Sequence, residues 1–149
     1  PPLDRDLVVA GAIVHDLGRC REFSDSLVKP ERTVPGHLLG HIQLGRDQLR
    51  ETAQELGDVD AETVQLLEHL VLSHLNHPEW GSPRLPMRPE VLIVHHADDL
   101  DAKVEMFVRA LVRDKEPGPI TARDPVLNKQ LYKRRAKDAA ADEETASES

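Results

Sequence analysis

Four stretches of this chain have the apolar spacing of buried helices, and each carries an imidazole or a carboxylate where that spacing calls for a hydrocarbon. Residues 10–19, AGAIVHDLGR, read as the last turns of a buried helix and end on His15 and Asp16 side by side. In GHLLGHI, residues 36–42, His37 and His41 stand four apart and so share a helix face. In AETVQLLEHLVLSHL, residues 61–75, His74 falls on the face of Val64, Leu67, Leu70 and Val71. His95, His96 and Asp98 interrupt the stripe of a fourth segment, residues 90–114. An unpartnered polar group costs roughly 2–7 kcal/mol to bury. One inward histidine is more often a hydrogen-bonded core residue than a ligand. Four helices each supplying such a group are harder to satisfy one by one. A single cation between facing helices satisfies them together, and mixed N/O donors suit divalent transition metals. His69, His77 and His96 fall off these faces.

The connecting residues support the same helical reading. Asp4 is a good N-cap for a helix carrying Leu7, Val8, Gly11 and Val14, with Gly18 as its stop. Residues 20–33 read as a loop. A second helix is expected from about Val34 to Leu56, with Pro35 in its first turn and Gly57 closing it. Asp60 caps the third. The Pro/Gly-rich loop 76–89 is long for a compact helical domain, and such loops are often functional. Pro89 opens the fourth helix, which runs to about Asp114. No segment reads as a strand, so the expected class is all-α, a helical bundle with a metal site between helices. Residues 1–116 form the expected domain, 117–135 an extension with one short helix, and 136–149 a polar disordered tail. The chain lacks an initiator Met and opens almost inside a buried helix, which points to a fragment of a longer protein.

Composition narrows the function classes. Aromatics are only 3% of the residues, so the core must be aliphatic. The formal net charge of −8 argues against gripping a polyanion by bulk electrostatics. A phosphate substrate would need local compensation, which a divalent cation supplies. A single cysteine, Cys20, excludes an intrachain disulfide and fits a reducing compartment. Nothing resembles a signal peptide or a membrane span, so the expected location is cytoplasmic, with no membrane partner.

VHDLGR (14–19) resembles the signature of the HD-domain metal-dependent phosphohydrolases. GHLLGHI (36–42), LEHLVLSH (67–74), EWGSPRLP (79–86) and IVHHADDLDAKV (93–104) extend the likeness. Together they resemble the HD domain of the YhaM-type 3′–5′ exoribonucleases over roughly residues 3–113. The resemblance implies a ligand set of His15, Asp16, His41, His74 and Asp98. Asp16 would be the bridging carboxylate if two metals bind, with His41 and His74 serving the second. Manganese is the first expectation among one or two divalent ions, with Mg, Fe, Ni or Zn as alternatives. The family's first ligand is a histidine upstream of the doublet, which this chain begins too late to contain. The family's usual Lys after HD-x-Gly is here Arg19, whose planar fork also suits phosphate.

The implied chemistry is metal-dependent phosphoester hydrolysis, with Asp16 and Arg19 as catalytic residues. Arg19, Lys103 and Trp80 are the candidate substrate contacts. Arg19 has a solvent-exposed helix end as its plainer reading, and Lys103 an ion pair with Asp99. Trp80 could stack on a base, or simply anchor its loop to the core. The exonuclease relatives carry an N-terminal OB-type nucleic-acid-binding domain, which would supply the grip on single-stranded RNA that this acidic chain lacks; a homo-oligomer is left open. Two further readings stand beside the exoribonuclease. One is a phosphohydrolase acting on small nucleotides or phosphomonoesters, and the other a non-catalytic regulatory module that keeps only the scaffold.

Overall fold

The computed structural model describes residues 3–133. Among the described residues, five helices occur in chain order: α1 Arg5–Val14, α2 Arg19–Glu22, α3 Val34–Leu56, α4 Ala61–Ser73 and α5 Pro89–Arg113, with a 3₁₀ turn at Pro78–Trp80. The protein is all-α. Among the described residues, β pairing is limited to isolated bridges such as Phe23 with Arg32. No helix of the described residues is long and apolar enough to cross a membrane.

Local chemistry sets most helix ends where the sequence puts them. The Asp4 carboxylate accepts from the Leu7 amide at 3.0 Å, and Asp60 does the same for Thr63 at 2.9 Å. Thr33 accepts from Gly36 at 3.0 Å, and Gly57 closes α3 in the left-handed region at φ 73°.

Three local expectations are corrected. The first helix stops at Val14 rather than at Gly18, and residues 15–18 form a turn that frees His15 and Asp16 from the helix. Gly18 is not a left-handed stop, since its φ is −65°. It is a point of close approach: a Cβ there would lie 1.8 Å from the His41 carbonyl oxygen and 2.5 Å from the Gly45 nitrogen. Only a glycine lets this turn lie flush on α3. Second, the expected loop 20–33 begins as α2, and the Glu22 carbonyl then accepts from Thr33 at 2.9 Å. Third, α3 is bent at Gly40, whose φ 73° and ψ 165° are not helical. The four-residue rule therefore fails across the bend: His37 is exposed, while the His41 side chain is only 13% accessible.

The core is aliphatic. Leu7, Ile42, Leu44, Leu70, Val71, Val91 and Val94 are buried, and Leu70 and Val71 completely so. Each fully buried Leu or Val contributes about 1.5–3 kcal/mol relative to exposure. α3 packs on α2 and α4, and α4 packs on α1. The start of α5 is tied to α1 through the buried Glu90, which accepts from the Asp4 amide at 3.0 Å and pairs with Arg88.

The chain divides into two compact units, Pro1–Asp99 and Leu100–Ser149. In the second unit the expected short helix does not form over residues 117–133. Turns and the bridges Ile120–Tyr132 and Asp124–Lys129 occupy this stretch, around prolines 117, 119 and 125 that withhold backbone donors. The expected tail, 136–149, lies outside the described residues.

Candidate metal centre

Three separate pieces of chain deliver Asp16, His41 and His74 to one point. Asp16 comes from the turn after α1, His41 from the first turn beyond the Gly40 bend, and His74 from the C-cap of α4. One ligand atom from each lies within 4.8 Å of the others. Asp16 Oδ1 is 3.3 Å from His41 Nε2 and 3.9 Å from His74 Nε2. Ligand bonds of about 2.0–2.2 Å to a common cation would space donor atoms about 3–4 Å apart.

The satisfaction of these atoms is more telling than their distances. Asp16 Oδ1 and His41 Nε2 are buried and have no hydrogen-bond partner. Such atoms cost stability unless something fills the gap. His74 Nδ1 lies 2.9 Å from the Val71 carbonyl oxygen. A carbonyl only accepts, so Nδ1 carries the proton and Nε2 is left with a lone pair toward Asp16. Burial lowers the pKa of both imidazoles; at His41 the nearby Arg19 charge adds to it, and the carboxylates only partly oppose it. Both rings are therefore neutral at neutral pH, the form that binds a cation.

His15 and Asp98 stand beside this triad. His15 Nδ1 donates to the Ala12 carbonyl at 2.9 Å, and its Nε2 faces Asp98 Oδ1 at 3.6 Å. The His15 ring packs edge-on to His74 with centroids 5.2 Å apart. All five expected residues thus gather in one region: three form a tight donor cluster, and His15 with Asp98 forms a pair against its His74 wall.

A residue that the sequence reading passed over completes the arrangement. Glu22 is 2% exposed, an unusual place for a carboxylate. It accepts from Arg19 Nη1 at 2.9 Å and pairs with Arg32 at 3.3 Å. Its Oε2 stands 3.7 Å from His41 Nδ1, on the opposite side of the ring from Asp16. Arg19 in turn reaches Asp16 Oδ2 at 3.4 Å. The only sequence signal was Arg19 and Glu22 three apart on one helical turn, since Arg32 and His41 come from distant stretches.

The remaining histidines lie outside the donor cluster. His95 is buried and its Nδ1 donates to the His74 carbonyl at 2.8 Å. His69 Nε2 accepts from the Met87 amide at 3.0 Å, holding the long loop to α4. His37 is exposed, and His77 and His96 flank Trp80 and His95 respectively. Trp80 is not the anchor of its loop, because it is 57% exposed. Ser82 is the anchor: it is 2% exposed, and its hydroxyl donates to the Leu72 carbonyl at 3.0 Å. Lys103 lies in the second unit.

Comparison with known proteins gives a consistent result. The family model described as "HD domain" matches residues 1–103. The chain is 49% identical over 134 residues to the 3′-5′ exoribonuclease YhaM of Bacillus licheniformis, and 49% identical to that of Bacillus subtilis. It is 50% identical to the YhaM of Bacillus velezensis. In each case the match covers 89% of this chain and 42% of the relative, so the chain spans under half the length of these proteins. No solved structure matches the chain.

Proposed function

The chain belongs to the HD-domain family, and from that premise we propose that it is the catalytic domain of a metal-dependent 3′–5′ exoribonuclease. The observation that carries the reading is the pair of buried, unpartnered donor atoms, Asp16 Oδ1 and His41 Nε2, facing each other 3.3 Å apart beside the His74 lone pair. Asp16, His41 and His74 would hold a divalent cation, with His15 and Asp98 as further ligands. Manganese is our first choice, with Mg, Fe, Ni or Zn as alternatives. When bound, such an ion makes hydroxide available near neutral pH and offsets charge on the phosphoryl oxygens.

The chain's own residues then position the ester. Arg19 is held against Asp16 Oδ2 by Glu22 and remains 45% accessible, so its guanidinium can meet a phosphate oxygen next to the donor cluster. Lys103 is a second phosphate candidate on sequence grounds. Glu22 stands 3.7 Å behind the His41 Nδ1, where a slight closing would let it orient the ring as carboxylates commonly do for metal-binding imidazoles. Substrate grip on single-stranded RNA would come from an OB-type domain elsewhere in the full protein, and an RNA-degrading role would place it in the cytoplasm.

The test is hydrolysis by the protein in Mn²⁺ of 5′-labelled single-stranded RNA and, separately, of mononucleotides. Ladders of progressively shortened RNA are expected. Turnover of mononucleotides alone would replace this reading with that of a small-nucleotide phosphohydrolase. Absence of both activities, and of bound transition metal, would leave the regulatory module.

Glu22→Gln tests the support behind His41. Removing this charge is expected to weaken metal binding by about ten- to a hundredfold. Titration calorimetry reads that loss, and unchanged affinity would reduce Glu22 to a partner for Arg19 and Arg32.

A further inference from the structure

A hollow of about 260 Å³ opens beside the donor cluster, walled by Leu39, Gly40, Ile42, Leu75 and Trp80, and sharing His41 with the cluster itself. We infer that this hollow receives the 3′-terminal nucleoside of the substrate strand, with its base stacked on Trp80. The inference rests on the exoribonuclease reading and names the part of the substrate that the site recognises.

Four observations support it. First, among the described residues no Lys, Arg, Asp or Glu lines the hollow, so it suits a base and sugar rather than a phosphate. Because His41 belongs to both places, a nucleoside seated here sets its phosphoester toward Asp16. Second, the hollow opens where α3 breaks at Gly40, at which a Cβ would meet nothing within 4 Å. A continuous helix would not turn its backbone away at this point.

Third, Trp80 is 57% exposed yet packed between two imidazoles. His77 packs edge-on to it at 4.5 Å between centroids, and the buried His95 lies nearly parallel at 5.9 Å and 26°. The Trp80 amide donates to the His77 carbonyl at 3.1 Å, and Ser82 pins the loop to α4 two residues on. An indole flanked by two rings but left open to solvent is a platform for a flat partner, since stacking is favourable for any base. Fourth, Leu39, which lines the hollow beside the bend, is 54% exposed and offers apolar surface on its α3 side.

Trp80 is the only tryptophan in the chain, so intrinsic emission reports on this place alone. Titration of the protein with tetraadenylate in EDTA is expected to quench that emission saturably. The same oligonucleotide with an abasic 3′-terminal residue should bind about five- to a hundredfold more weakly. In Mn²⁺, the ratio of kcat/KM for the intact over the abasic oligonucleotide should be of similar size. It should collapse toward one in Trp80→Ala and recover in Trp80→Phe. General damage to the fold would lower both rates and leave the ratio standing. Equal quenching by the two oligonucleotides, no quenching, or an unchanged ratio in Trp80→Ala would overturn the inference. Quenching that distinguishes the two without any RNA cleavage would uphold the nucleoside site while refuting the exoribonuclease reading.

Discussion

Asp16→Ala is expected to abolish hydrolysis and to strip most bound metal, while far-ultraviolet circular dichroism stays nearly unchanged. Both halves follow from where the residue sits. Asp16 belongs to the turn between α1 and α2, its side chain is 42% accessible, and neither helix uses its carboxylate as a cap. Its Oδ1 makes no hydrogen bond whose loss would cost stability, and its only close cation is Arg19 at 3.4 Å. Removing it therefore spares the fold. What it removes is the one anionic donor of the triad, leaving two neutral imidazoles and the looser His15–Asp98 pair to hold a divalent ion. Loss of the ion's charge compensation costs several kcal/mol in the transition state, about a thousandfold or more in rate. Elemental analysis of the purified variant and the RNA assay check the two effects separately. Normal turnover by Asp16→Ala would remove the doublet from the mechanism.

Gly18→Ala is expected to be the most damaging single methyl in the first unit. The added Cβ would stand 1.8 Å from the His41 carbonyl oxygen and 2.5 Å from the Gly45 nitrogen. Both are backbone atoms of α3, so no rotamer change relieves the clash and the turn must lift away from the helix. Overpacking of this kind costs about 3 kcal/mol or more, which for a chain of this size lowers Tm by about 10 °C. The same lift separates Asp16 from His41, so metal affinity should fall together with stability. Gly11→Ala is the control. Its Cβ would meet Leu70 Cδ1 at 2.2 Å, but that is the end of a leucine side chain that can rotate. Thermal unfolding of the two variants should therefore rank Gly18→Ala well below Gly11→Ala, and the reverse order would refute the close-approach reading.

The parts of this fold that sequence made legible are those decided by near neighbours. Asp4 and Asp60 cap helices through amides three residues on, and Gly57 ends α3 by its own conformational freedom. The same reading gave α3 its two ends at Val34 and Leu56 and α5 its start at Pro89. The ligand candidates also lay within reach, because polar groups on apolar faces are conspicuous and the motif residues matched a family. What stayed hidden depends on distant contacts. Nothing near Gly40 distinguishes a bend from an ordinary helical glycine, so His37 and His41 read as one face. Gly18 looked like a helix stop because its contact with α3 is made 23 residues later. Glu22 looked like a solvated loop acid because two of its partners, Arg32 and His41, come from other elements.

The carboxyl end of α4 is fastened before any ion is considered. His95 holds the His74 carbonyl, Val71 holds the His74 ring, and Ser82 closes the Leu72 carbonyl. A binding pouch stitched together by main-chain ties is wound before its cargo arrives. A cation bound there would then spend little chain entropy, unlike in small domains that collapse around zinc. A chelator should therefore end the proposed hydrolysis and leave the polypeptide standing.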